Sequence, residues 1–201
     1  MAGGIDALVE SVEGAEDDED TACIEVARLA LQPCDVVIGV AASGSTPYTL
    51  AVMQEASKAG ALLIAIANNA ESSLAAASDF AVTINTGSEV IAGSTRMKAG
   101  TAQKAVLNTL STAVMLRRGL VFQGMMVHMQ IANEKLSNRA LNLIMTLAGV
   151  TRSRAEDCLA ASHGRIGNAV LLALEATSEK AEHLLMKHDG NLHGALREMN
   201  C

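Results

Sequence analysis

Ser43, Ser45 and Thr46 crowd around Gly44 in the stretch AASGSTPY, residues 41–48. Hydroxyls and a glycine between an aliphatic run and a proline are the makings of an anion cradle. Hydroxyl O–H and backbone N–H groups donate to phosphate oxygens, and glycine lets the backbone approach closely. Thr46 followed by Pro47 reads as the N-cap and first residue of a helix, so the N–H groups of its first turn are expected to stay free, with the positive end of the helix dipole at the loop. Taken alone, the same residues are ordinary turn and cap residues. A second polar loop has the same logic: Gly93, Ser94 and Thr95 precede Arg96 and Lys98 at a predicted helix start. Cations there oppose the helix dipole unless an anion or carboxylate accompanies them; solvated charges are the alternative. Lys135 and Arg139, four apart on one helical face without an acidic i,i+4 partner, pose the same choice between a bound anion and a solvated pair. Neither GxGxxG nor a Walker pattern is present, which favours a phosphorylated small molecule over a nucleotide.

These loops need a scaffold. Residues 35–41, 62–67 and 80–84 are short β-branched-rich runs, separated by helical stretches at about 47–59 and 71–77. That βαβαβ order predicts a parallel sheet with covering helices, and places the Ser43 loop at the carboxyl end of a strand, where open α/β sheets bind ligands. Val106, Leu107, Leu110, Val114 and Met115 then repeat at helical spacing, Gly119 offers a stop, and a further helix is expected over about 122–147. Near the C-terminus AEDCLAASHGRIGNAV (155–170) and AEHLLMKHDGNLHGAL (181–196) share an internal repeat, each unit reading as helix, Gly turn, helix. The expected division is 1–137 for a partial sheet domain and 138–201 for a small all-helical subdomain.

Half of the 201 residues are hydrophobic and the net charge is −7, which argues against nucleic-acid or anionic-membrane partners and for a small soluble ligand. No apolar run approaches a membrane span, and the first residues lack a signal-peptide layout, so a cytoplasmic setting is expected. Cys23, Cys34, Cys158 and Cys201 show no redox-motif or metal-ligand spacing, and five-residue steps keep His183, His188 and His193 off a common helical face, so no metal is expected.

The block GSEVIAGSTRMKAGTAQK, 87–104, closely resembles the signature of the bacterial N-acetylmuramic acid 6-phosphate etherases and the related glucokinase regulatory proteins of the sugar isomerase (SIS) fold. VEGAED (12–17), AASGSTPY and NEKLSNRA (133–140) look like further blocks of the etherase branch, in the same order. One departure is Ser88, where the family usually has proline. The resemblance implies an α/β SIS-type parallel sheet, and removal of the D-lactyl ether from N-acetylmuramic acid 6-phosphate by elimination and water addition, without an organic cofactor. It implies Glu16 as a catalytic acid/base group, although the acidic run around it would by itself be a solvated helix start. It implies Ser43, Gly44, Ser45, Thr46, Glu89, Ser94, Thr95, Lys98, Lys135 and Arg139 as binders of the phosphosugar, and a homodimer. It also implies upstream strands, another phosphate loop and a second glutamate, so the chain is expected to be a fragment, a misplaced start or a truncated relative. On its own such a chain is expected to be inactive and prone to self-association. A non-catalytic phosphosugar-binding regulatory module is the other reading.

Overall fold

A computed structural model describes residues 1–199. By compactness the chain divides into two units, Met1–Thr109 and Leu110–Cys201. The first holds a parallel sheet in the order β1 (Val36–Ala41), β2 (Leu62–Ala67), β3 (Phe80–Thr83), with Ile38, Ile64 and Phe80 in register. Helices α1 (Glu19–Leu29), α2 (Pro47–Lys58) and the short α3 (Ser73–Ala76) complete it, and α4 (Lys98–Arg117) begins in this unit.

Side chains alternate across the strands, so Gly39, Ala41, Leu63, Ala65 and Ala67 share one face of the sheet. That face packs against α2 and α3, where Met53 and Leu74 are fully buried. The fit depends on a missing side chain: a Cβ on Gly39 would lie 2.9 Å from the Met53 sulfur and 3.0 Å from Leu74. The opposite face is β-branched and aromatic, and it remains largely open, with Val36, Ile38, Leu62, Phe80 and Val82 exposed. Parallel sheets are ordinarily covered on both faces.

The second unit holds the end of α4, then a hairpin, β4 (Val121–Phe122) and β5 (Met125–Met126), followed by α5 (Glu134–Ala148), α6 (Arg152–Ala161), α7 (Ile166–Ala173), α8 (Ser178–Lys187) and α9 (Leu192–Met199). The hairpin corrects the helix expected from residue 122. Gln123 and Gly124 both adopt positive φ, 48° and 76°, the pairing a two-residue turn of mirror-image type requires, and α5 starts only at its Asn133 cap. The repeat folds as two like helix pairs. His163–Gly164 and Asp189–Gly190 make the same left-handed turns, and Ile144, Ile166, Leu171 and Leu192 are buried in a shared core.

Among the described residues no helix is long and apolar enough to cross a membrane, and no three His, Cys, Asp or Glu side chains cluster as metal ligands. His188 is bonded to Glu198 at 2.8 Å, while His193 lies against the Phe122 ring. Cys23, Cys34 and Cys158 are free thiols; Cys201 lies outside the described residues.

Candidate active site

Strand β1 delivers the hydroxyl loop to the carboxyl end of the sheet, and the loop is anchored from behind. The Asn68 N–H donates to the Ala42 carbonyl and the Leu74 N–H to the Gly44 carbonyl, at 3.0 and 2.9 Å. Gly44 is required here by its φ of +69° and by Ser72, whose Cβ a side chain on Gly44 would meet at 2.4 Å. The space beside Gly44 is thus taken by the chain itself, not held open for a ligand. Ser43 Oγ accepts from the Ser45 N–H (3.2 Å) and the Ser45 hydroxyl (3.1 Å), which leaves the Ser43 O–H free to donate.

Thr46 occupies the N-cap position of α2, but its side chain caps nothing, in contrast to the expected role. The first turn is not wholly free either, because the Tyr48 N–H donates to the Glu16 carbonyl at 3.0 Å. That bond pins the acidic segment beside the hydroxyl loop. Asp18 serves a different purpose: it caps α1 through the Thr21 N–H and hydroxyl, which lowers its pKa.

A cleft of about 860 Å³ gathers Glu16, Ser43, Thr46 and Thr95 with Glu25, Tyr48 and Gln103. Gly44, Ser45, Glu89, Ser94 and Lys98 do not line it. Lys135 and Arg139 lie exposed near the start of α5, in the other unit, and neither forms an ion pair among the described residues.

Tyr48 is buried and donates its hydroxyl to the Glu25 carboxylate. Burial, reinforced by that hydrogen bond and the negative charge, pushes the Tyr48 pKa up to about 12. Gln103 bonds the Asn68 side chain at 2.9 Å, tying α4 to the end of β2. Sequence reasoning passed over Glu25, Tyr48 and Gln103. Glu25 reads as one more polar position of an amphipathic helix, and its partner is 23 residues away.

The second loop answers the charge conflict of Arg96 and Lys98 from within. The Glu89 carboxylate accepts from the N–H groups of Lys98 and Ala99 at 2.9 and 3.0 Å, while Lys98 Nζ reaches the Ser88 carbonyl at 2.6 Å. The anion at the start of α4 is therefore Glu89. The Ala99 N–H, then the Lys98 N–H, hold the Glu89 pKa below its ordinary value. A depressed carboxylate pKa contributes stability above the unfolded value and loses it as pH falls through the folded one. In acid titrations followed by backbone amide resonances, the Lys98 and Ala99 signals are expected to move with Glu89 protonation, below the usual glutamate range. Glu89→Gln should abolish that step; an unchanged step in the variant would assign it elsewhere.

The SIS domain family profile matches residues 20–113, which hold the three-stranded parallel sheet and the hydroxyl loop at its carboxyl end. Within that class, the chain is 43% identical over 197 residues to the N-acetylmuramic acid 6-phosphate etherase of Streptomyces avermitilis, covering 98% of this chain and 63% of the relative. The enzyme of that name from Pasteurella multocida is 43% identical, with 65% of it covered, and that of Geobacillus thermodenitrificans is 42% identical, with 67% covered. The chain belongs to the N-acetylmuramic acid 6-phosphate etherase family. It spans about 63% of the length of the first of these relatives.

Proposed function

We propose that the protein is a carbon–oxygen lyase that binds N-acetylmuramic acid 6-phosphate and releases D-lactate, leaving N-acetylglucosamine 6-phosphate. The observation that carries this reading is the shared cleft of Glu16 and Ser43, with the Glu16 backbone bonded to the first turn of the helix that follows the hydroxyl loop. Ser43, Ser45 and Thr46 hold the phosphate, with Ser94 and Thr95 from the second loop. In the open-chain sugar the C1 aldehyde acidifies the C2 proton. A base removes it, the lactyl oxygen leaves C3 with the bonding pair, and water adds across the resulting double bond, restoring a proton at C2 and a hydroxyl at C3. Glu16 is an acid/base group for these transfers.

One observation favours the second reading, a phosphosugar-binding regulatory module. Of the two carboxylates lining the cleft, Glu25 is held by the Tyr48 hydroxyl, which leaves Glu16 alone for proton transfer. Both readings require the phosphosugar. Calorimetry on the chain should therefore show saturable binding of N-acetylglucosamine 6-phosphate and none of unphosphorylated N-acetylglucosamine at the same concentrations. Equal binding of the two sugars would remove the phosphate loops from the account.

We also propose a homodimer. Support comes from the apolar surface left open on the sheet by Ile38, Phe80 and Val82, and on α4 by Val114 and Leu116.

A further inference from the structure

The hydroxyl loop and the second loop follow different strands, and one residue that does not line the cleft, Asn68, is bonded to the surroundings of both. Its backbone N–H donates to the Ala42 carbonyl at 3.0 Å, next to Ser43 in the hydroxyl loop. Its side chain grips the second loop at both ends. Nδ2 donates to the Ile84 carbonyl at 3.0 Å, where the chain leaves β3, and Oδ1 accepts from Gln103 Nε2 at 2.9 Å, in the second turn of α4. The orientation of the amide follows from its partners: a carbonyl can only accept, so the amino group faces Ile84 and the oxygen faces Gln103.

Thr95 depends on this hold. Its carbonyl accepts from the Gly100 N–H at 3.0 Å, so Thr95 goes where the start of α4 goes. Little else fastens that helix. Ala99 is its one buried residue, and among the described residues the bond from Gln103 to Asn68 is the one hydrogen bond joining α4 to any residue before the second loop. The segment between β3 and α4 contains neither helix nor strand. Fixing both of its ends lowers the conformational entropy that a ligand would otherwise have to remove.

We propose that Asn68 is a positioning residue for the phosphate. By holding both ends of the second loop and the start of the hydroxyl loop, it keeps Thr95 in the cleft with Ser43, so that hydroxyls of both loops reach one phosphate. This rests on the reading that the cleft binds a phosphosugar.

The test is calorimetry of N-acetylglucosamine 6-phosphate binding to the chain, to Asn68→Ala, to Ser94→Ala/Thr95→Val and to the triple variant, with thermal melts to establish that each is folded. Asn68→Ala is expected to weaken binding by about tenfold, the scale of losing hydrogen bonds from one loop to a charged group. In the chain already lacking the Ser94 and Thr95 hydroxyls the same replacement should cost about threefold or less, because its effect passes through them. A merely structural role would lower the melting temperature and leave the two effects fully additive. Should Asn68→Ala not fold, Gln103→Leu cuts the same bond from the helix side and takes its place in the cycle. Full additivity overturns the proposal. Selective binding of the phosphorylated sugar that survives the replacement unchanged overturns this proposal alone, whereas a parent chain that binds it no better than N-acetylglucosamine overturns the phosphosugar reading and this proposal with it.

Discussion

Glu16→Gln is expected to lower D-lactate release by about a hundredfold or more while leaving affinity for N-acetylglucosamine 6-phosphate nearly unchanged. Glutamine keeps the size and polarity of the side chain and removes its ability to exchange a proton. The position of the residue does not depend on its carboxylate, because it is the Glu16 backbone carbonyl that accepts from the Tyr48 N–H. Glu16 is exposed and lines the same cleft as Ser43 and Thr46, so the replacement leaves no buried group without a partner. The comparison is to be made on the chain joined to the part of the Geobacillus thermodenitrificans relative that it does not match. Turnover within a few fold of the parent in the joined protein would show that the proton is carried by another group.

Replacing Ser43 and Ser45 together by alanine is expected to weaken N-acetylglucosamine 6-phosphate binding by about 1 to 3 kcal/mol, the range for losing hydrogen bonds to a charged group. The two must be changed together. The Ser45 N–H and hydroxyl both donate to Ser43 Oγ, so a single replacement frees the other residue to reorient toward the phosphate. The loop should keep its path in the double variant, since it is held through the carbonyls of Ala42 and Gly44 and through the contact of Gly44 with Ser72. Unchanged affinity by calorimetry would take both serines out of the site.

The sheet and its order were legible because β1, β2 and β3 are short β-branched runs divided by stretches of helical spacing. Such a pattern has few other ways to bury its apolar face. The repeat was legible for a similar reason: Gly164 and Gly190 mark turns that only a positive φ can make. The hairpin at 121–126 was not, because a run of methionine, valine and phenylalanine suits helix and strand alike, and the turn hangs on Gln123 and Gly124 alone.

For the site, the composition of the hydroxyl loop and its place after a strand could be read directly. What each group bonds to could not. Glu89 caps α4 across an excursion of the chain, Tyr48 reaches back to Glu25, and the N–H of Tyr48 goes to a carbonyl in the acidic segment, contacts that no local spacing in the sequence announces. Resemblance pointed to Glu16 where spacing alone marked a helix start.

Elimination through the C2 proton at a phosphosugar site can be followed by supplying N-acetylmuramic acid 6-phosphate to the joined protein in deuterated water and examining the product by mass spectrometry and NMR. One D-lactate is expected for each N-acetylglucosamine 6-phosphate formed, with solvent deuterium at C2 of the sugar. Release of lactate with the original hydrogen retained at C2 would contradict it, because the ether would then have been broken without removing that proton.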